Sequence, residues 1–337
     1  MILWVLMVSL TYGQQTCAKY KCAKSGQLTT GVCLSRSEGT VYLAECTDYT
    51  NSYCPTSFTA TSNSSCTTPP AKIGFAYPGE VCKQASDCKY GSCVNNYCFG
   101  QELLSECQVH GECNPGYQCG SGLNRCFQLF DEGDNGCETE FDCDYDMTCD
   151  KGRCLPYYSI RSDNWIFNCS DFQSDACESG QCLFGYCVDS GKTKGGYPRK
   201  CSTYTDCYSD EYESQGVKLY SNCSCGLNSE GQGYCNLFPG DKYYRDYIEI
   251  KQEWIGKKIL SKCNTVRRFS RDCMISHYEK SFAYEFEYKM YKALYYALIY
   301  DADSCVLKLM VPEYYKDYEE VHDWSVLIPL TTIFILF

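Results

Sequence analysis

CKQASDCKYGSCVNNYC, residues 82 to 98, is the first of four cysteine quartets that follow one another along the chain. The next are CQVHGECNPGYQCGSGLNRC from Cys107 to Cys126, CETEFDCDYDMTCDKGRC from Cys137 to Cys154 and CSDFQSDACESGQCLFGYC from Cys169 to Cys187. Each reads as cysteine, a polar run usually closing on an acid, cysteine, a short turn often holding glycine, cysteine, a second short turn, cysteine. Cys82, Cys88, Cys93 and Cys98 thus correspond to Cys107, Cys113, Cys119 and Cys126, to Cys137, Cys143, Cys149 and Cys154, and to Cys169, Cys177, Cys182 and Cys187. A fifth, stretched copy runs from Cys201 to Cys235.

A unit of this size cannot bury a core of its own. Between Cys82 and Cys98 the sizeable apolar or aromatic residues other than cysteine are Tyr90, Val94 and Tyr97, so cross-links must supply the stability. Gly91, Gly116, Gly152, Gly180 and Gly185 fall where short turns between cysteines need positive φ. The fold expected is a set of small disulfide-rich repeats, built of short β-hairpins and turns, with a C-terminal α-helical hairpin.

The organisation expected around that array follows from composition. Residues 1–13, MILWVLMVSLTYG, have the length and apolar character of a signal peptide. Residues 17–66 hold six cysteines at wider spacing, which permit fifteen pairings, and read as a separate module. Residues 67–81, opening Thr67-Thr68-Pro69-Pro70, read as a linker into the repeats at 82–235. Residues 240–310 read as helical. Tyr244, Ile248, Ile255 and Ile259, with Trp254 beside them, form one stripe, and Phe282, Phe286, Met290, Leu294 and Leu298 a second, in a helix of about twenty residues. The two should pack as a hairpin around Cys263 and Cys273, with Asp241 capping the first. The tyrosines at 284, 288, 291, 295, 296 and 300 read as a buried or half-buried helix face.

Counting cysteines extends this. If the first module and the four regular quartets pair internally, five remain in the stretched repeat and three in the helical part. Both numbers are odd, so a bridge should join Cys201–Cys235 to Cys263, Cys273 or Cys305 and dock the helices on the last repeat.

Thirty cysteines in 337 residues approach the density of a disulfide scaffold, which belongs outside the cytosol. Asn63, Asn168 and Asn222 begin N-glycosylation sequons. The net charge of −12 argues against a nucleic-acid or anionic-lipid partner and suits a soluble extracellular surface. Trp324 to Phe337, WSVLIPLTTIFILF, is uncharged. As a helix its fourteen residues reach about 21 Å, short of a hydrocarbon core of about 30 Å. A GPI-attachment signal, a short membrane insertion and a packed terminal segment are the three readings of residues 324–337.

No catalytic constellation is legible, and the chain reads as a non-enzyme without cofactor or metal. Its three histidines are His110, His277 and His322. His110 lies among cysteines expected to be oxidised, and His277 follows Cys273 by one helical turn, the one pair with the spacing of a thiol or metal site. Cys223-Ser224-Cys225 in an oxidising compartment reads as disulfide, not zinc ligand. The acidic run from Asp131 to Asp146 lacks the spacing of an EF-hand loop and reads as a solvated face.

The quartet pattern, with an acid before the second cysteine at Asp87, Glu112, Asp142 and Asp206 and glycine-bearing turns, resembles the Dickkopf N-terminal cysteine-rich region. It is also similar to the tandem cysteine-rich repeats of secreted and surface proteins of ciliated protozoa. The resemblance covers Cys82 to Cys235; the fourth unit departs from it with Ala176 before Cys177, the fifth with its long insertion and extra Cys225. It implies extracellular binding, while the second, colipase-like Dickkopf domain has no counterpart here. The function expected is that of a cell-surface protein acting by binding or as coat material. It would be attached to the outer face of the plasma membrane through its C-terminal segment or a lipid anchor, and meet an extracellular protein or glycan. The alternative is a freely secreted Dickkopf-like modulator.

Overall fold

The acid before the second cysteine folds back onto the turn that precedes it. In the first repeat Asp87 accepts the backbone N–H groups of Lys83 and Gln84 at 2.8 and 3.1 Å. In the third, Asp142 accepts those of Glu138 and Thr139, both at 2.8 Å, and in the fifth Asp206 accepts those of Ser202 and Thr203 at 2.8 and 3.0 Å. Glu112, one methylene longer, takes the N–H of Gln108 at 2.8 Å. Each acid closes a single 3-10 turn, at Ala85–Asp87, His110–Glu112, Glu140–Asp142 and Tyr204–Asp206. So short a turn has no internal acceptor for its first N–H groups, and the carboxylate supplies one. The fourth repeat has no acid there; Ala176 is buried, and Cys177 N–H reaches Ser174 O at 3.1 Å.

The computed structural model describes residues 16–48, 50–55, 63–70, 74–120, 122–162, 169, 174–209 and 218–331, with side chains described through residue 321. Within each repeat the first cysteine bonds the third and the second bonds the fourth. The pairs are 82–93 and 88–98, 107–119 and 113–126, 137–149 and 143–154, 169–182 and 177–187, and 201–223 and 207–235. The pairing follows from the hairpin. The third and fourth cysteines stand opposite one another on adjacent strands, as Cys93 and Cys98 do, and each reaches back to one cysteine of the preceding turn. Two buried cystines then serve as the interior of the unit. The five glycines expected at positive φ all have it, from 70 to 88°. At Gly91 a Cβ would stand 1.9 Å from Phe99 O, so no other residue fits that turn.

Removing one acid cap from this scheme has a defined cost. Asp142→Ala is expected to lower stability by about 1 kcal/mol, read as a lower denaturant midpoint with all disulfides intact; an unchanged midpoint would contradict the capping role. The N–H bonds hold Asp87 and Asp206 below the ordinary carboxylate range. A depressed folded value gives stability that is present above the unfolded value and lost as pH falls below about 4.

The repeats are chained through their leading segments. Ala76, Gln101, Phe130 and Ile160 each form a parallel bridge with the second cysteine of their own repeat, Cys88, Cys113, Cys143 and Cys177. Residues 67–81 therefore divide: Thr67 pairs with Tyr53 in the N-terminal module, and residues from Gly74 onward belong to the first repeat.

The N-terminal module is a four-stranded sheet of β1 (Lys19–Cys22), β2 (Val32–Ser37), β3 (Thr40–Leu43) and β4 (Ser64–Ser65), in the order β1-β3-β2-β4, with β1 parallel to β3. Two bridges, Cys33–Cys54 and Cys46–Cys66, are internal to it. The other two leave it: Cys17 bonds Cys225 of the fifth repeat, and Cys22 bonds Cys305 of the helical part. The expected bridge between the last repeat and the helices is overturned by this arrangement. The odd cysteines, Cys225 and Cys305, are each tied to the N-terminal sheet, which sits between them because its apolar face needs covering. Tyr20, Leu34, Val41 and Leu43 share one core with Leu227, Ile299, Val306, Met310 and Tyr314.

In place of the expected hairpin the described residues form six α-helices: α1 (Lys242–Ile255), α2 (Arg271–His277), α3 (Lys280–Leu294), α4 (Tyr296–Ile299), α5 (Ser304–Met310) and α6 (Pro312–Thr331). The stripes of α1 and α3 face one another, with Tyr244, Ile248, Trp254, Phe282 and Phe286 buried together. The second stripe stops at Leu294 because Tyr295 leaves helical geometry at φ −117° and ψ 19°, and Leu298 lies on α4, packed against the other core. Tyr284 and Tyr296 are buried, while Tyr295 is exposed. Asp241 occupies the position before α1 but does not cap it; its carboxylate accepts Thr193 N–H at 3.0 Å and Phe238 N–H at 2.9 Å.

Candidate binding surface

The segment between α1 and α3 holds the repeats in place. It is closed by the bridge Cys263–Cys273 and carries Asn264, Thr265 and Arg268, all fully buried. Asn264 Nδ2 donates to Cys113 O at 2.8 Å and Gly111 O at 3.3 Å in the second repeat. Thr265 Oγ1 donates to Phe141 O at 2.7 Å in the third. Arg268 donates to Asp144 O at 3.0 Å, Cys143 O at 3.3 Å and Glu140 O. In return Tyr145 of the third repeat donates its hydroxyl to Cys263 O at 2.6 Å. The first repeat is held by the buried Glu80, 3.2 Å from Arg267 Nε. Lys251 Nζ on α1 lies 2.7 Å from Asp175 Oδ2, ahead of Cys177 in the fourth repeat, with the Tyr157 ring 4.7 Å from it. Burial alone would push the Lys251 ammonium down, but Asp175 and the surrounding tyrosines hold it well above its ordinary value.

The histidines and cysteines with the spacing of a reactive site have structural partners. Cys273 is oxidised, and His277 Nε2 lies 2.7 Å from Gly79 O with its ring stacked 5.4 Å from that of Tyr97. Burial pushes the His277 imidazole below its usual range, so it is neutral at neutral pH. His110 Nδ1 accepts Cys119 N–H at 3.2 Å, and its Nε2 lies 3.7 Å from Asp142 Oδ1; both contacts are architectural. The side chain of His322 lies outside the described residues. Cys223 and Cys225 are both in disulfides. In the acidic run, Asp142 caps its turn, Asp134 Oδ2 accepts Asp131 N–H at 3.0 Å, Asp144 Oδ1 accepts Tyr145 N–H at 2.8 Å and Glu140 Oε2 accepts the Tyr157 hydroxyl at 2.7 Å. The run is therefore a set of local acceptors. Asn63 and Asn222 are exposed, while Asn168 lies outside the described residues.

One surface is left open where the clamp meets the repeats. A groove of about 530 Å³ lies between the first and second repeats, lined by Gly79, Tyr97, Phe99, Glu102, Leu103, Pro115 and Tyr117. Tyr97, Phe99 and Leu103 keep 40, 42 and 42% of their surface in water, although burying such side chains is favourable by roughly 1.5–3 kcal/mol each. The groove is rigidly framed. At Gly79, φ 92°, a Cβ would stand 2.3 Å from Lys262 O, and Asn114 Oδ1 accepts Gly100 N–H at 2.7 Å on its far wall. Aromatic faces beside the carboxylate of Glu102 can stack on a sugar ring or take an apolar side chain with a donor at its edge.

All thirty cysteines are in disulfides, and none is free, a state that suits an extracellular or secreted protein. Among the described residues no helix is long and apolar enough to cross a membrane. Compared with family models, with curated proteins and with solved structures, the chain finds no match in any of the three.

Proposed function

We propose that this protein works outside the cell as a disulfide-stapled binding or surface-coat protein, attached to the membrane through its C-terminal segment by a lipid or by shallow insertion. The observation that carries the reading is the complete oxidation of thirty cysteines in fifteen bridges, which a reducing compartment would not maintain. The groove between the first two repeats is the surface we assign to an extracellular protein or glycan, because it keeps aromatic side chains in water on a frame that holds them still. The Dickkopf-like spacing of the repeats supports the second reading, a freely secreted modulator.

Intact mass of the protein from its native membrane or medium, taken before and after reduction and deglycosylation, separates these. The membrane-attached reading expects recovery from the membrane fraction and no thiol available to alkylation before reduction. It also expects either a glycolipid in place of the terminal apolar residues or the intact terminus recovered with the membrane. Recovery from the medium with Phe337 retained would move the function to the secreted modulator. Several free thiols in native protein would overturn the extracellular assignment itself.

A further inference from the structure

The last described helix is held by a cluster with more acid than base. Arg271 on α2 places Nη1 3.1 Å from Glu287 Oε2 on α3 and 3.0 Å from Asp317 Oδ1 on α6, and its Nη2 pairs with Glu313 at the start of α6. One guanidinium therefore faces three carboxyl groups. Asp317 is fully buried, and its Oδ2 has no donor bonded to it. The Glu287 and Asp317 carboxyls converge on the same Arg271 Nη1, and Glu287 Oε2, like Asp317 Oδ2, has no hydrogen-bond partner. Ionised carboxylates are acceptors only, so a bond between two of them needs a proton.

Among the described residues the surroundings supply no second counter-charge. From α2 the cluster also sees Asp272, whose own partner is Arg267 at 2.7 Å. From α3 it is bordered by Tyr284 and Tyr291, and Tyr291 packs in turn on Tyr314 of α6, which is stacked with Tyr288 of α3 and flanked by Tyr318. Lys280 and Lys316 stand over the Tyr284 ring at 5.0 and 5.8 Å, Lys280 paired with Glu320. On α5, Lys308 is paired with Glu45 at 3.0 Å, near Tyr315 and Glu319. Among the described residues Arg271 is the one cation paired with either carboxyl.

We propose that Glu287 and Asp317 share a single proton that latches α6 onto α3, and that alkaline solution releases the latch. Burial, then the neighbouring Glu287 carboxylate, pushes Asp317 up to about 8, and burial likewise raises Glu287; the loss of the proton belongs to the pair. In the undocked state both acids ionise near the ordinary value of about 4. The docked state thus holds a proton that the undocked state has lost, and docking weakens as pH rises from about 4 to about 8, by up to tenfold in the equilibrium per pH unit. An ordinary carboxylate–arginine pair has the opposite sign. Because α6 runs on into the apolar sequence beginning at Trp324, the proton would set how firmly the body is drawn to that segment, whatever the segment attaches to.

Hydrogen exchange of the full-length protein tests this. Protection of the amides of residues 314–321, corrected for the intrinsic effect of pH, is expected to fall roughly tenfold to a hundredfold between pH 6 and pH 8, with α1 changing less. Asp317→Asn keeps the shape without the charge and should abolish the fall, and Glu287→Gln should reduce it. A parallel fall in wild type and D317N, or protection that rises with pH, would overturn the latch. Should the variants fail to fold, the wild-type infrared spectrum decides: a protonated carboxyl band present at pH 7 and gone by pH 10 supports the latch, and its absence at pH 7 overturns it.

Discussion

Arg268→Ala is expected to cost about 3–5 kcal/mol of stability and to separate the helical part from the third repeat. The guanidinium is fully buried, lies 5.8 Å from the Tyr145 ring and donates to the carbonyls of Glu140, Cys143 and Asp144. These carbonyls close the acid-capped turn and lead out of it, so Arg268 reads the backbone of the repeat and not a side chain that could be replaced. Bonds from a charged donor contribute about 1.5–3 kcal/mol each, and buried acceptors left without a partner add a desolvation cost. The cavity left by so large a side chain adds further. Arg268→Lys should recover little, because an ammonium cannot present the planar fork that reaches several carbonyls at once. Denaturant unfolding at intact disulfides, followed by the fluorescence of Trp254, whose indole N–H bonds Arg268 O at 2.6 Å, measures the loss. A change below 1 kcal/mol for R268A would show that the clamp contributes little.

Replacing both Cys22 and Cys305 by serine is expected to cost about as much, by another route. The bridge spans 283 residues of sequence, but Cys17–Cys225 shortens the path it closes. What remains is the short run from Cys17 to Cys22 and the segment from Cys225 to Cys305, a loop on the order of 85 residues, whose closure is worth about 4–5 kcal/mol in the chain-entropy account. The double variant should keep its repeats, each stapled by its own two cystines, and lose protection first in β1 to β4 and in α5, whose apolar faces form the second core. Uniform loss of protection across the repeats would contradict this separation.

What the chain discloses in advance depends on how local each feature is. The quartets and the positive-φ glycines are decided within a few residues, and their structures agree with the reading; of the two apolar stripes only the parts up to Ile255 and Leu294 lie on α1 and α3. The acid before the second cysteine is visible as a mark of the repeat, but its role as a turn cap requires the backbone that surrounds it. Cys17 and Cys22 sit among widely spaced cysteines, and their partners lie 208 and 283 residues away. Only the approach of the N-terminal sheet to α5 and the fifth repeat selects those partners. Asn264, Thr265 and Arg268 look like a polar surface loop in NTVRR, and Asp317 looks solvated in KDYEE. All four are buried because a second segment brings carbonyls or counter-charges to them, which periodicity does not register. Their one advance signal is that the polar loop is closed by Cys263 and Cys273.

The N-terminal module, the last repeat and the helical part are tied into one closed body. Mass mapping of a proteolytic digest of the oxidised protein tests it most directly. The structure predicts cross-linked peptides joining Cys17 to Cys225 and Cys22 to Cys305, with Cys263 joined to Cys273. Peptides joining Cys225 to Cys305, with Cys17 and Cys22 paired inside the first module, would contradict it.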